Sequence, residues 1–260
     1  MSGFGPAGTY PPWGRGNLVP SPGRRTGAVN WPRGSLLARF APDARAQLLR
    51  LGTTVRFEAG DRILTQGDRS RHVLILISGV VKVTTDTADG RTGLLAIRVA
   101  GDAAGELASL DGNPRSAHVT AAGTVVARRI TAGDFAEFLR THPDAALAVS
   151  ASVSAKLRWA TRRRMDYMSC PVVVRIARLL VDLVHAHGCP VEAGTAVGIS
   201  LSQAELAELA GASEAAAQRA VRTLKGNGML VTGYRHFVVR DLDALGAFAG
   251  TTPDGTGTGA

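Results

Sequence analysis

The sequence predicts an α+β chain in three parts: a barrel of short antiparallel strands, one long helix, and a compact helical unit closed by a β wing. Three observations carry this. Between Val55 and Ile130, β-rich runs are separated by Gly60-Asp61, Gly67-Asp68, Gly79, Asp89-Gly90, Gly101-Asp102, Gly112-Asn113 and Gly123, the punctuation of many short strands. From Asp144 to Ser169 there is no Gly or Pro, and Ala, Leu and Arg dominate, as in a continuous helix. Beyond Ile199, Ser202 and Ser213 each open an apolar-periodic segment with Gly211 between them.

Residues 1–34 hold many Gly and Pro, four Arg and no acid. Such a stretch buries too little apolar surface to offset the entropy of ordering, so a disordered tail is expected. A short helical piece from Ser35 to Leu51 leads into the runs VRFEA, RILTQ, HVLILIS, VVKVTT, LLAIRVA, AHVTA and TVVARRI. These are expected to form a double-stranded β-helix, or jelly roll, within residues 35–142. His72 and His118 stand apart from any cluster of His and carboxylates, so a metal enzyme on this barrel is not expected.

Residues 143–170 make the long helix, with Pro171 as its hinge. One stripe of it reads Leu147, Ser150, Ser154, Leu157, Thr161, Arg164 and Met168, a partly polar seam. Residues 171–248 form the C-terminal unit. There VVVRIARLLVDLVHAH is a second apolar helix, broken at Gly188-Cys189-Pro190. Ser202 and Glu205 then make a capping box, Gly211 a tight turn, and Ser213 the cap of a helix running to about Asn227. Leu206, Leu209, Ala210, Ala217, Val221 and Leu224 fall on facing sides, the pattern of a helix-turn-helix. Val231 to Arg240, turning at Gly233-Tyr234-Arg235, reads as the wing, and residues 249–260 as a second disordered tail.

The chain has 260 residues, 45% of them apolar, enough for two modest cores. No run approaches the ~20 apolar residues of a membrane span and no signal pattern opens the chain, so a cytoplasmic protein without a membrane partner is expected. Cys170 and Cys189 are too few for a disulfide framework, a four-cysteine metal site or an iron–sulfur cluster. The net charge of +9 is concentrated in the first 34 residues and in residues 151–248, which hold twelve cations to eight acids. That distribution suits a polyanionic partner.

The run GDAAGELASLDGNPRSA, Gly101 to Ala117, brings a turn glycine, a carboxylate, an arginine and a hydroxyl together. Gly105 permits close backbone approach to a ligand, and a short helix over Glu106–Leu110 would turn its free N–H groups toward a phosphate. Arg115 supplies a fixed charge, Ser116 a hydroxyl donor, and Glu106 an acceptor suited to a ribose hydroxyl. Two readings stand: a phosphate-and-ribose cradle, or a Glu–Arg ion pair across a surface turn, worth about 0–1 kcal/mol.

GELA at 105–108 followed by PRSA at 114–117 resembles the cyclic-nucleotide cassette of the cyclic-AMP receptor protein and fumarate–nitrate regulator (Crp–Fnr) family, a likeness spanning about residues 35–248. The resemblance implies that Gly105, Glu106, Arg115 and Ser116 hold the ribose and cyclic phosphate, joined by the backbone amides of Leu107 and Ala108. It implies a homodimer paired through the long helix, whose middle closes over the base. Where the family commonly offers Thr then Ser or Asn to adenine, this chain reads Ala160-Thr161, so Thr161 is the remaining hydroxyl candidate. Cyclic AMP is the implied regulatory ligand, no cofactor is expected, and double-stranded DNA and RNA polymerase are the implied partners.

On the second helix of the helix-turn-helix, Gln218, Arg219, Arg222 and Lys225 are the candidate DNA contacts. Arg219 matches a base-reading arginine of the family, while Arg222 and Lys225 suit phosphates. Arg235 and His236 can reach phosphate from the wing, and Ser202, Gln203 and Ser213 stand at the starts of the two helices. Many members carry Arg-Glu where this chain has Glu214-Ala215, which implies a different half-site. The leading reading is a nucleotide-controlled, sequence-specific DNA-binding regulator. Its rivals are a regulator with a different ligand or none, a nucleotide-binding interaction module that does not read DNA, and a barrel enzyme for which no catalytic constellation is found.

Overall fold

The computed structural model describes residues 31–32, 34–86, 90 and 92–251; most of both expected tails lies outside the described residues. A 3-10 turn at Leu37–Arg39 precedes α1 (Pro42–Arg50), which starts on proline and buries Ala44 and Leu48. Then come β1 (Thr53–Phe57), β2 (Arg62–Leu64), β3 (Val73–Ser78), β4 (Val80–Asp86), β5 (Thr92–Val99), β6 (Ala103–Ala104), α2 (Glu106–Asp111), β7 (His118–Ala121) and β8 (Val125–Ile130). They make two antiparallel four-stranded sheets, ordered β1-β8-β3-β6 and β2-β7-β4-β5.

The unbroken apolar run of β3 reflects burial on both faces. Leu74 and Leu76 point into the barrel with Val81, Val119 and Val125. Val73 and Ile75 face the other way, into a core with Leu48, Phe135 and Val149. Phe135 belongs to α3 (Ala132–Thr141), a helix where the sequence reading saw only a Gly–Asp turn. The Thr131 hydroxyl accepts from Asp134 N at 3.1 Å and so starts a helix at that punctuation. Trp31, inside the expected N-terminal tail, is buried in the same core and sits against Gly101.

The long helix is α4 (Pro143–Ser169), and α5 (Val172–His187) follows Pro171. Where the sequence showed only a break, β9 (Cys189–Val191) and β10 (Gly194–Ala196) form a hairpin. Then come α6 (Gln203–Leu209), α7 (Glu214–Gly226), β11 (Leu230–Gly233), β12 (His236–Val239) and α8 (Leu242–Ala249). The wing strands join the hairpin in the order β11-β12-β10-β9. The last helix was not anticipated, and its buried Ala249 lies within the expected C-terminal tail. No described helix is long and apolar enough to cross a membrane.

Leu94, Ile97 and Val99 of β5 share one core with Leu180 of α5, Leu206 and Leu209 of α6, and Leu224 of α7. The helix-turn-helix unit thus rests on the outer face of the β4–β5 hairpin, close to the residues of the 101–117 run.

Candidate functional site

Gly105 stands immediately before α2 at φ +80°, a left-handed conformation that favours glycine. A side chain there would also run into the Arg115 guanidinium, so the close approach needs a residue without Cβ. Arg115 is only 3% exposed. Its Nη1 donates to Gly105 O and its Nη2 to His72 O, both at 2.7 Å, while Nε donates to Ser70 Oγ at 3.2 Å. These acceptors are all neutral. Among the described residues no carboxylate lies within ion-pair distance of Arg115, and burial holds its pKa below the usual arginine value. The result is a fixed, desolvated positive charge with no ion-pair partner, on which Asp68 and Glu106 act only from farther away.

Glu106, 6% exposed, pairs instead with Lys156 of α4, whose Nζ lies 2.7 Å from Oε1. The alternative of a Glu106–Arg115 pair across a surface turn is therefore set aside: both groups are buried, and each has other partners. Lys156 was not found from the sequence, because nothing local says that α4 folds back over α2.

Gly105, Glu106, Leu107, Ala108, Arg115 and Ser116 line one cavity of about 730 Å³. Lys156 and Ala160 of α4 form the facing wall. Thr161 is exposed on α4 and does not line the cavity of its own chain, although its stripe neighbours Leu157 and Arg164 do. One residue along a helix is a rotation of about 100°, which carries Thr161 off the face that Ala160 presents. Farther along, the Arg163 guanidinium lies 4.4 Å from the Trp159 ring centroid and donates to Leu95 O at 3.2 Å. Burial pushes its pKa down to about 10, against the nearby charges of Asp182 and Asp166.

In the helix-turn-helix, Ser202 Oγ accepts from Glu205 N while the Glu205 carboxylate accepts from Ser202 N, the capping box read in the sequence. Ser213 Oγ accepts from Ala216 N at 3.3 Å and caps α7. Arg219, Arg222 and Lys225 are exposed at spacings of three along α7, and the half-buried Gln218 donates to Glu214 at 3.2 Å. Gln203 is half-buried in the first turn of α6.

Residues 54–142 match the cyclic nucleotide-binding domain family, and residues 174–248 match the Crp-like helix-turn-helix domain family. The chain belongs to the Crp–Fnr family. It is 25% identical over 213 residues to the CRP-like cAMP-activated global transcriptional regulator of Mycobacterium tuberculosis, covering 82% of this chain and 95% of that protein. It is 25% identical over 179 residues to the cAMP-activated global transcriptional regulator Vfr of Pseudomonas aeruginosa, covering 67% and 83%. Its fold matches that of FixK2 from Bradyrhizobium japonicum with a TM-score of 0.67, over 79% of this chain and 100% of that one at 17% identity. The protein is accordingly a Crp-like DNA-binding transcription regulator with a cyclic nucleotide-binding domain.

Within this Crp–Fnr chain one expected DNA contact is already engaged. Arg235, at φ +54° in the wing turn, donates Nη2 to Glu205 Oε2 at 3.0 Å and Nε to Ser200 Oγ at 3.2 Å. The other Glu205 oxygen receives Lys82 from β4. Burial works to raise the Glu205 pKa, but Lys82, the Ser202 amide and Arg235 outweigh it, and the net shift is downward. The sequence disclosed Glu205 as a cap; its second role, bridging barrel and wing, depends on tertiary packing.

Proposed function

We propose that this chain is a cytoplasmic, homodimeric regulator that binds DNA sequence-specifically under the control of cyclic AMP and acts on RNA polymerase. The observation that carries the ligand half of this reading is Arg115, a buried guanidinium held by neutral acceptors, with the charges of Asp68 and Glu106 acting on it only from beyond ion-pair distance. A desolvated charge without an ion-pair partner is costly unless an anion meets it, so the cradle is pre-organised for phosphate. In this reading Arg115 and Ser116 bind the cyclic phosphate, Leu107 and Ala108 offer backbone amides, and Glu106, oriented by Lys156, accepts the ribose 2′-hydroxyl. A carboxylate has about four acceptor positions, so Glu106 can keep Lys156 and still take a hydroxyl. The names of the Mycobacterium tuberculosis and Pseudomonas aeruginosa relatives favour cyclic AMP as the nucleotide.

For DNA, Arg219 reads a base edge, while Gln218, Arg222 and Lys225 position α7 in the major groove. The exposed stripe of α4 is the surface through which two copies pair. With Arg235 tied to Glu205 and α6 docked on β5, ligand binding beside α4 can release the wing for phosphate contact. The domains are assigned as residues 35–142 for nucleotide, 143–170 for pairing and 171–248 for DNA. Calorimetric titration with cyclic AMP and cyclic GMP, followed by DNA binding with and without the nucleotide, tests the reading. Absence of binding by either nucleotide would remove its ligand half, and failure to enrich any motif from random DNA its other half.

A further inference from the structure

A second cavity, of about 310 Å³, opens between the barrel, the long helix and the DNA-reading unit, with walls from the segment before α1, from β5, α4 and α5, and from Leu209 of α6. None of Gly105, Glu106, Arg115 and Ser116 lines it, so it is separate from the cradle, although Arg98, Lys156 and Trp159 border both spaces. No residue of the exposed α4 stripe lines it either, which leaves it clear of the surface assigned to pairing. Small-molecule pockets run from roughly 300 to 1,000 Å³, so the space suits an occupant at the small end of that range.

Its lining is divided. Ile97 and Val99 of β5 and Leu179 and Leu183 of α5 make an apolar wall. At one end Trp159 Nε1 donates to Asp182 Oδ2 at 3.0 Å, and among the described residues no cation lies within ion-pair distance of that half-buried carboxylate. Burial raises the Asp182 pKa, and the Arg162 charge and the Trp159 hydrogen bond offset only part of that. At the other end Arg98 and Asp102 act on His187, whose ring burial holds below the usual histidine pKa. Arg98 Nη1 donates to Ile97 O at 3.0 Å, and among the described residues no carboxylate lies within ion-pair distance of this guanidinium. His187 Nδ1 and Ser35 Oγ, on residues that line the cavity, are buried without a hydrogen-bond partner among the described residues, a deficit that folded proteins rarely leave.

The half-buried charges of the lining are Arg98, Lys156, Asp102 and Asp182, two of each sign, while Arg39 and Arg162 are exposed to water. Lys156 is held by Glu106, and Asp102 Oδ2 accepts from Val99 N at 3.1 Å, which leaves Arg98 and Asp182 as the opposite charges open to an occupant. Asp182 and His187, on which Arg98 acts, are five residues apart on α5, an axial step of roughly 7.5 Å. The ammonium and carboxylate on one α-carbon are roughly 3 Å apart, and a charge-assisted bond of about 2.8 Å at either end brings the reach to about 8.5 Å, which bridges that step.

We propose that this cavity is a second effector site that takes a free α-amino acid with a large apolar side chain, its ammonium at Asp182, its carboxylate at Arg98 and His187, and its side chain against the apolar wall. A zwitterion matches both open charges, whereas an acid or an amine alone strands one of them in a half-buried place. The site is independent of the nucleotide reading, because no group assigned to the nucleotide takes part. Its occupant touches β5, α4 and α5 together, and so joins the barrel to the first helix of the DNA-reading unit.

The test is calorimetric titration of the full chain with L-phenylalanine, with hydrocinnamate, which lacks the ammonium, and with phenethylamine, which lacks the carboxylate. L-Phenylalanine is expected to bind at one molecule per chain, at least tenfold more tightly than either analogue, and to keep that stoichiometry when cyclic AMP is in excess. Asp182→Asn retains an acceptor for Trp159, and it and Arg98→Gln each weaken L-phenylalanine tenfold or more. Thermal unfolding by circular dichroism shows that the variants fold, and if Arg98→Gln does not, Asp182→Asn decides alone. No binding of L-phenylalanine, equal affinity for either analogue, or affinity indifferent to Asp182→Asn overturns the proposal and leaves the cradle untouched. Displacement of the amino acid by cyclic AMP overturns it as well, since the amino acid then sits in the cradle.

Discussion

Replacing Arg115 by lysine keeps the charge and removes the fork. In the structure the fork ties three chain segments together: Gly105 at the start of α2, His72 before β3, and Ser70 in the preceding turn. A lysine ammonium at the end of a flexible stem can hold one of these acceptors, leaving the rest in a site that is 3% exposed. Hydrogen bonds to charged groups contribute about 1.5–3 kcal/mol each, so losing one charged bond to a carbonyl and the weaker bond to Ser70 costs about 3 kcal/mol. At about 2–4 °C per kcal/mol for a chain of this size, the melting temperature falls by about 6–12 °C. Nucleotide affinity falls at least tenfold, since paired guanidinium bonds to phosphate are lost and each tenfold corresponds to about 1.4 kcal/mol. Ser116→Ala is the control: Ser116 is exposed, so stability stays within about 0.5 kcal/mol while affinity drops several-fold. Thermal unfolding by circular dichroism and calorimetric titration with cyclic AMP give both numbers. An unchanged melting temperature for Arg115→Lys would show that the fork is not holding the loop, and unchanged affinity would show that the phosphate is bound elsewhere.

Three further outcomes are expected. Ala160→Thr adds a hydroxyl to the α4 wall of the cavity and tightens cyclic AMP two- to tenfold, at about 0.5–1.5 kcal/mol for one hydrogen bond; unchanged affinity in titration places the base away from Ala160. Glu205→Gln keeps the helix cap but removes the charge that holds Lys82 and Arg235, so ligand-free affinity for DNA, followed by fluorescence anisotropy, rises several-fold; a fall would mean that Arg235 needs Glu205 to be presented. The same contact is pH-dependent with a definite sign: because the folded pKa of Glu205 is depressed, its contribution is complete above the ordinary carboxylate pKa and is lost as pH falls through the lowered value, so protease access to the segment at Cys170-Pro171 should increase in acid. In selection from random DNA, Arg219→Ala relaxes one base pair per half-site by about 1–3 kcal/mol, whereas Arg222→Ala weakens all sequences and lowers the salt slope by about one; recovery of the usual family palindrome by the unaltered protein would remove any role for Glu214-Ala215.

What was legible in the sequence was what local chemistry decides. Ser202 with Glu205, and Ser213 before α7, cap helices through bonds that span three residues, and the structure has both. The extent of α4 followed from the absence of helix breakers, and the barrel strands from their turns. The elements missed were those where a local breaker was overruled. Gly133 sits inside α3 because Thr131 caps the helix and Phe135 and Phe138 are buried. Pro190 sits in a short strand because β9 is an edge, where a missing N–H costs nothing.

At the site, side-chain chemistry was legible but partnership was not. Glu106 and Arg115 are nine residues apart with opposite charge, and on the sequence alone each is a plausible partner for the other. Folding gives Glu106 to Lys156, fifty residues away, and leaves Arg115 to carbonyl oxygens. In the proposed reading that exchange keeps Arg115 open to a phosphate, since an arginine neutralised by its own carboxylate would offer one far less. The wing shows the converse. Arg235 was read as a phosphate contact from its charge and position, but Glu205, thirty residues earlier, holds it, and the same carboxylate holds Lys82 of the barrel. A charge on the DNA-reading unit is thus occupied by a residue whose other partner lies on the nucleotide-binding unit. That contact adds a charged link to the apolar core that β5 shares with α5, α6 and α7, and a pattern of residue types along the chain does not reveal it.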